Sequence, residues 1–270
     1  MSSALRTQFT LSDDELQVAG ARIAVEDFPT VLAVRPRHGT TDTLNAAFDV
    51  ATLALVARGV ITDGLVTGDL ESLLWALRRP DRELAMRVVT PDGIARASMV
   101  RRGSQGVLAR RVGDEFVLRA VAHVIELRVA AQILVAELPR ADAARIDPVG
   151  APLDAMTECL NDGGDAQQLA DRIRALGAER RSAMLLGSAL ASRIAFAEIV
   201  YHPLTRDEDR ISRCPAAVAV FYTKRGRIVA APSASPTGEL WMTLKTGSDH
   251  TIAQAIGQLI GLSTERWEDV

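Results

Sequence analysis

The sequence predicts an α+β fold, in which a sheet is flanked by helices and is made of two similar halves. The main observation is that two stretches, from Arg82 to Leu138 and from Ile194 to Leu262, follow the same plan. In each stretch, short strand-like segments joined by tight turns are followed by one amphipathic helix. Matching turns at residues 113–118 and 238–242 lead into a strand in both stretches. Two halves of this kind could share one sheet and offer its faces and edges to another protein.

Length and composition agree with a protein that buries a large core. A chain of 270 residues is long enough to bury roughly three quarters of the surface that the unfolded chain exposes. Hydrophobic residues make up 48% of the chain and aromatic residues only 4%, so alanine, valine, leucine and isoleucine must fill the interior. We expect a single domain with an N-terminal half at about 1–140 and a C-terminal half at about 151–270, joined by a polar connection.

Three helices are predicted near the beginning of the chain, from apolar residues at helical spacing and from the residues that bound them. Ser12 can cap a helix, and Glu15 three residues later completes a capping box. Gly59 ends the second helix and Pro80 terminates the third. The predicted helices cover residues 13–23, 42–58 and 69–78.

Strands in the N-terminal half are predicted where apolar residues alternate with other residues between turns. The turn at residues 91–93 reverses the chain, and Gly113 with Asp114 separates two further strands. A short β-type run closed by Pro36 comes earlier in the chain. The predicted strands are 30–34, 84–88, 94–100, 106–110 and 115–119, and a helix at about 122–138 follows them.

The C-terminal half repeats this plan, with a hairpin turn at residues 224–226. Its predicted helices are 165–176, 182–193 and 249–262, and its predicted strands are 194–202, 216–223, 227–231 and 239–244. The segment from Pro203 to Cys214 is rich in charged residues and has few apolar ones. We expect it to form a mobile loop.

The charge pattern argues against a nucleic-acid-binding protein. The 31 basic residues include only two lysines, Lys224 and Lys245, and the net charge is -3. Arginines between 79 and 111 alternate with acidic residues, which indicates a solvated mixed surface rather than a basic stripe. No run approaches the about 20 apolar residues of a membrane span, and the first ten residues lack the apolar core of a signal peptide. We therefore expect a cytoplasmic protein that neither binds nucleic acid nor inserts into a membrane.

The residue types that usually carry chemistry are scattered along the chain. The four histidines are isolated and lack zinc-ligand spacing, and Cys159 and Cys214 are far apart and typical of free thiols in a reducing compartment. Ser188 lacks the strand-to-helix setting of a nucleophile elbow. The glycines at 103 and 106 are not followed by the Lys-Ser/Thr pair of a phosphate-binding loop. The sequence therefore predicts no catalytic residue, no cofactor and no metal site.

Glu198 is the charged residue of most interest in the predicted sheet. It lies at the centre of an apolar strand, between Phe196 and Val200. Because alternate residues of a strand point to opposite faces, Glu198 faces either solvent or a partner protein. The strands at 216–223 and 227–231 carry apolar residues on both faces, so a face that helices leave uncovered would be an apolar patch for a partner.

Several segments, taken together and in order, resemble the EspG proteins of mycobacterial type VII (ESX) secretion. They are FPTVLAVRP at 28–36, LLWALRRPDREL at 73–84, AEIV at 197–200, GRIV at 226–229, and LKTG at 244–247 leading into the last helix. Together they span nearly the full chain.

This resemblance implies a cytosolic, non-catalytic chaperone. Such a protein binds the tip of the PPE subunit in a PE–PPE heterodimer, keeps the heterodimer soluble, and is released before or during export. The family fold implies a central, twisted, largely antiparallel sheet flanked by helical bundles, with two quasi-twofold-related halves. It also implies that the partner binds one side of the sheet together with the C-terminal helical bundle.

The residues expected to contact the partner follow from this resemblance, region by region. They are Phe196, Glu198, Val200, Phe221, Ile228, Ala230, Ser233 and Trp241. Among them, polar residues such as Glu198 and Ser233 would select between similar partners, because an unpaired buried polar group is costly.

Two other interpretations of the sequence remain open. The first is a scaffold that self-associates through an exposed sheet edge, for example as a weak homodimer. The second is an enzyme with a cleft between the two halves, although the sequence offers no convergent cluster of titratable groups.

Overall fold

The computed structural model describes residues 8–161, 164–205 and 210–269. In these ranges the α-helices are α1 (Asp13–Arg22), α2 (Thr41–Ala57), α3 (Gly68–Arg78), α4 (Leu127–Ala136), α5 (Leu153–Asn161), α6 (Ala166–Ala175), α7 (Arg180–Ala191) and α8 (Asp249–Gly261). The strands are β1 (Gln8–Ser12), β2 (Ile61–Thr62), β3 (Leu65–Val66), β4 (Arg82–Thr90), β5 (Gly93–Arg102), β6 (Gln105–Val112), β7 (Glu115–Val121), β8 (Val149–Pro152), β9 (Arg193–Thr205), β10 (Arg210–Ile211), β11 (Val218–Thr223), β12 (Gly226–Ala234) and β13 (Leu240–Thr246). This combination of helices and antiparallel strands confirms the predicted α+β class.

The chain divides into two compact units. Unit 1 comprises the chain up to Ala85 together with Ile94–Ile125. Unit 2 comprises Met86–Gly93 and the chain from Glu126 to Asp269. None of the helices in the described ranges is long and apolar enough to cross a bilayer.

Unit 1 is a set of helices packed on one face of an antiparallel sheet. Its strand order is β1-β7-β6-β5-β4, with β1–β7, β7–β6 and β6–β5 paired antiparallel. Leu16 of α1, Leu55 of α2 and Leu74 of α3 are fully buried in one cluster with Phe116 and Leu118 of β7. The apolar positions that predicted α1 and α3 are therefore buried in this cluster, while α2 packs mainly against α1.

Unit 2 is a sheet with helices on both faces. Its strand order is β4-β9-β11-β12-β13-β8, and β9–β11, β11–β12, β12–β13 and β13–β8 are antiparallel pairs. One face packs against α8, whose Ile252 and Ile256 are fully buried. The opposite face, here called the groove face, carries Phe196, Phe221 and Ile228, which lie side by side on β9, β11 and β12. Helices α5, α6 and α7 pack on part of the groove face.

The first helix begins as the sequence predicts. The Ser12 hydroxyl accepts a hydrogen bond from the Glu15 backbone N–H at 3.2 Å, and the Glu15 carboxylate accepts one from the Ser12 N–H at 2.8 Å. The capping box is confirmed because it depends only on residues three apart in the sequence.

Two predicted elements are wrong or misplaced. The run at 30–34 is not a strand but a turn of 3-10 helix at Thr30–Leu32, which ends at Ala33 in a left-handed conformation with φ 51°. The helix predicted from residue 122 begins only at Leu127. His123 has φ 54°, and this left-handed residue keeps the preceding turn out of the helix.

Other elements were missed by the sequence analysis. These are β1, the small hairpin of β2 and β3, β8 and α5. Strand β8 contains Gly150 and Pro152, which made it look like part of a polar connection. The expected mobile loop at 203–214 is partly strand, since β9 extends to Thr205, while its residues 206–209 lie outside the described ranges.

Gly187 allows helices α6 and α7 to pack closely. A Cβ added there would lie 2.6 Å from the carbonyl oxygen of Ala166 and 2.7 Å from the backbone nitrogen of Ala170. Because backbone atoms cannot rotate away, we expect Gly187→Ala to lower the free energy of unfolding by about 1–3 kcal/mol, measured by urea denaturation.

The matched control is Gly257→Ala in α8. A Cβ at Gly257 has no heavy atom within 4 Å, so only the helix propensity of alanine acts. This variant should be more stable than the wild type by about 0.5–1 kcal/mol. If both substitutions change stability in the same direction, the close backbone contact at Gly187 does not determine the effect of Gly187→Ala.

Candidate functional site

A groove of about 860 Å³ lies on the groove face of unit 2. Strands β9, β11, β12 and β13 form its floor, helix α5 forms one wall, and the segment at 213–217 contributes to the opposite side together with Arg87 of β4. All of these residues belong to unit 2.

The floor of the groove is apolar because of the strand register. Phe196 on β9 pairs with Phe221 on β11, and Ala219 on β11 pairs with Ala230 on β12, so these four side chains point to one face. Met242 on β13 continues this surface. Phe196 remains half-buried. The floor is therefore an aromatic and aliphatic surface that the described residues do not fully cover.

Helix α5 presents one side to the groove. Leu153, Thr157 and Leu160 line it, and their spacing of four and three residues places them on one helix face. Leu153 and Leu160 are half-buried, whereas Thr157 is exposed. Met156, three residues after Leu153 and four before Leu160, lies at the edge of this side and is fully buried in the core of unit 2.

Charged side chains surround Glu198 at the edge of the floor. One Glu198 oxygen lies 3.3 Å from Nη2 of Arg87, and the other lies 3.3 Å from Nη2 of Arg213. Glu198 is on the same face as Phe196, since its partner across β11 is Ala219. From the sequence alone, Glu198 could face either solvent or a partner. The structure places it inside the groove, between two arginines.

The predicted partner-binding residues fall into three groups in the structure. Phe196, Glu198, Phe221 and Ala230 line the groove together. Ile228 and Val200 lie on the same face as these residues, but Ile228 is fully buried in the core and Val200 is half-buried outside the lining. Ser233 and Trp241 are paired with each other across β12 and β13 and point to the face that packs against α8.

The lining of the groove combines apolar side chains with a thiol and charged groups. Its one thiol, Cys214, is buried, and burial raises the pKa of this thiol above its ordinary value. A thiol with a raised pKa stays protonated at neutral pH and is a poor nucleophile. The lining contains no histidine. No group of three or more potential metal ligands occurs in the described ranges.

The groove also contains residues that the sequence analysis did not identify. Helix α5 could have been found from the spacing of Leu153, Met156 and Leu160. The arginines at 87, 193 and 213 come from three separate segments of the chain. No local pattern brings these arginines together, since they meet only through the pairing of strands.

Comparison with known sequences matches the chain to one protein family. The sequence model described as the EspG family matches residues 12–258. The ESX-1 secretion-associated protein EspG1 of Mycobacterium tuberculosis is 27% identical over 256 residues, covering 92% of this chain and 85% of that protein. The ESX-3 secretion-associated protein EspG3 of Mycolicibacterium smegmatis is 24% identical over 251 residues, covering 92% of this chain and 85% of that protein.

A solved structure has the same fold. It is the type VII secretion system chaperone EspG5 of Mycobacterium tuberculosis, determined in complex with a PE25–PPE41 dimer. The TM-score is 0.79, the comparison covers 97% of this chain and 99% of that chain, and the sequences are 17% identical. This similarity supports the fold described above.

Proposed function

The chain belongs to the EspG family, and on this premise we propose that it is a cytoplasmic, non-catalytic chaperone of type VII (ESX) secretion. In this proposal its partner is a PE–PPE heterodimer. The protein binds the tip of the PPE subunit, keeps the heterodimer soluble, and delivers it to the secretion system.

The observation that carries this proposal is the apolar groove of unit 2, which the described residues leave accessible. Phe196, Leu153 and Leu160 all keep part of their surface accessible there. Apolar surface that gathers in one concave site of a soluble domain marks a binding site more often than chance exposure. A protruding apolar tip would fill the groove, and the surfaces around it would extend the contact toward the about 800 Å² per partner of a standard interface.

Covering apolar surface on a partner explains how such a protein can act without catalysing a reaction. An apolar tip that is exposed to water associates with other apolar surfaces, because burying apolar area gains about 25 cal/mol per Å². Covering the tip in the groove removes this driving force for aggregation. The contacts proposed at the groove are Phe196, Glu198, Phe221 and Ala230, while Val200, Ile228, Ser233 and Trp241 stay predictions.

Thr157 gives a direct test of the groove. Thr157→Arg places a long side chain in the groove from an exposed helical position, so we expect the fold to be kept and partner binding to be lost. The experiment is co-expression of the tagged protein with PE–PPE pairs from its own genome. Wild-type protein should co-purify with at least one pair and raise the soluble fraction of that pair, and Thr157→Arg should do neither.

The matched control is Glu158→Arg, one position further along α5. Glu158 is exposed but does not line the groove, and this change adds more positive charge than Thr157→Arg does. It should therefore bind like the wild type. The proposed function is wrong if no PE–PPE pair co-purifies with or is solubilised by the wild-type protein. The groove is not the site if both variants lose binding equally or both keep it.

A further inference from the structure

Among the described residues, the lining of the groove contains more arginines than carboxylates. It contains three arginines, Arg87, Arg193 and Arg213, and two carboxylates, Asp154 and Glu198. Glu198 is already occupied, since each of its oxygens contacts one arginine, Arg87 or Arg213. These two arginines therefore share one carboxylate between them.

Among the described residues, Arg193 is the arginine of the lining for which no counter-ion is found. It is exposed, and it makes no hydrogen bond or ion pair through its side chain with any residue in the described ranges. The remaining carboxylate, Asp154, lies in the first turn of α5. A carboxylate at this position interacts favourably with the unpaired backbone N–H groups at the start of the helix.

A lone arginine is tolerated while the groove is open to water, because the solvent hydrates its charge. A partner that fills the groove removes this water, and an arginine without a counter-ion then opposes binding. A carboxylate on the partner reverses the effect, since guanidinium and carboxylate form charge-assisted and often bidentate hydrogen bonds. A lysine or arginine of the partner at the same place would be repelled.

We propose that the groove selects a partner segment in which apolar side chains are accompanied by a carboxylate, and that Arg193 binds this carboxylate. This inference rests on the proposed function, because it assumes that the groove is where the partner binds. The inference adds an ion pair between Arg193 and the partner, by which the groove would prefer one apolar tip over another. Arg193 acts here as a specificity-determining residue, while the aromatic floor supplies the apolar contact.

The first test uses a probe that does not depend on knowing the partner. The full chain, labelled with ¹⁵N, is titrated with N-acetyl-Leu-Phe-Glu-amide and with the matched glutamine peptide, and the arginine Nε–Hε signals are followed by NMR. We expect the glutamate peptide to bind about tenfold more tightly, as is typical of a hydrogen bond to a charged group. In Arg193→Gln the two peptides should bind equally.

The matched control is Arg145→Gln. Arg145 is likewise exposed and lies outside the groove lining, so this variant should keep the preference for the glutamate peptide. Equal affinity of the wild type for both peptides, or no binding of either, overturns the inference. A preference that persists in Arg193→Gln overturns the role of Arg193.

The second test separates this inference from the proposed function. The variants Arg193→Glu and Arg145→Glu are co-expressed with the PE–PPE pair that the wild-type protein retains. We expect Arg193→Glu to retain at least tenfold less of the pair and Arg145→Glu to retain it fully. If the pair co-purifies equally with both variants, only the inference about Arg193 fails. If no pair binds the wild type while the peptide preference is present, only the proposed function fails.

Discussion

Replacing Trp267 with alanine is expected to lower the free energy of unfolding by about 3–5 kcal/mol. Trp267 has no exposed surface, although it lies only a few residues from the end of the chain. Its ring centroid is 6.4 Å from that of Tyr201 on β9, and the rings are inclined by 46°. Removal of this side chain would leave a large apolar cavity, which the surrounding residues could fill only in part.

The loss would also release hydrogen bonds that Trp267 holds in place. The Tyr201 hydroxyl donates to the carbonyl oxygen of Glu265 at 3.0 Å. The Glu268 carboxylate accepts a hydrogen bond from the Leu127 N–H, at the start of α4, at 3.2 Å. The two acceptors, Glu265 and Glu268, belong to the C-terminal tail around Trp267. The tail is thus a packed part of unit 2.

Urea denaturation measures this effect, with Trp241→Ala as the matched control. Trp241 is only half-buried, and its Nε1–H donates to the exposed Glu239 carboxylate. Its removal should cost clearly less stability than the removal of Trp267. If the two variants lose the same stability, the buried position of Trp267 is not what stabilises the tail.

Asp13→Asn is expected to destabilise the protein by about 3–5 kcal/mol, because it leaves a buried arginine without its counter-ion. One Asp13 oxygen lies 3.0 Å from Nη2 of Arg111 and 2.8 Å from Nη2 of Arg37. The side chain of Asp13 is only 4% exposed and that of Arg111 only 10% exposed. Asparagine keeps the shape of the side chain but removes its negative charge.

Arg111 shows why this charge matters for unit 1. Its guanidinium donates hydrogen bonds to the carbonyl oxygens of Leu32, Ala33 and Gly113, and it stacks over the ring of Phe116. Asp13 therefore balances a cation that ties the turn at 30–33 to the sheet. Loss of this balance should loosen both the turn and the start of α1.

Thermal and urea denaturation of Asp13→Asn should be compared with those of Glu126→Gln. Glu126 pairs with Arg128 at 3.3 Å, but both side chains are more than half exposed, so its neutralisation should cost no more than about 1 kcal/mol. An equally small loss for Asp13→Asn would contradict the role of Asp13 as the counter-ion of Arg111.

The sequence by itself determined the features that depend on neighbouring residues. It predicted the capping box at Ser12 and the helices with a clear apolar stripe, because these patterns repeat within a few residues. It also predicted the succession of strands from 94 to 119 and from 216 to 244. Its resemblance to the EspG family was likewise carried by short segments of sequence. The match of the family model over residues 12–258 confirms this resemblance.

Only the tertiary structure decided which residues form the groove. Glu198 and its two arginines lie 111 and 15 residues apart in the sequence, and strand pairing brings them together. The register of β12 and β13 places Ser233 and Trp241 on the opposite face from Phe196. The physical reason is that a strand alternates its side chains between two faces, and only the packed helices fix which face stays open.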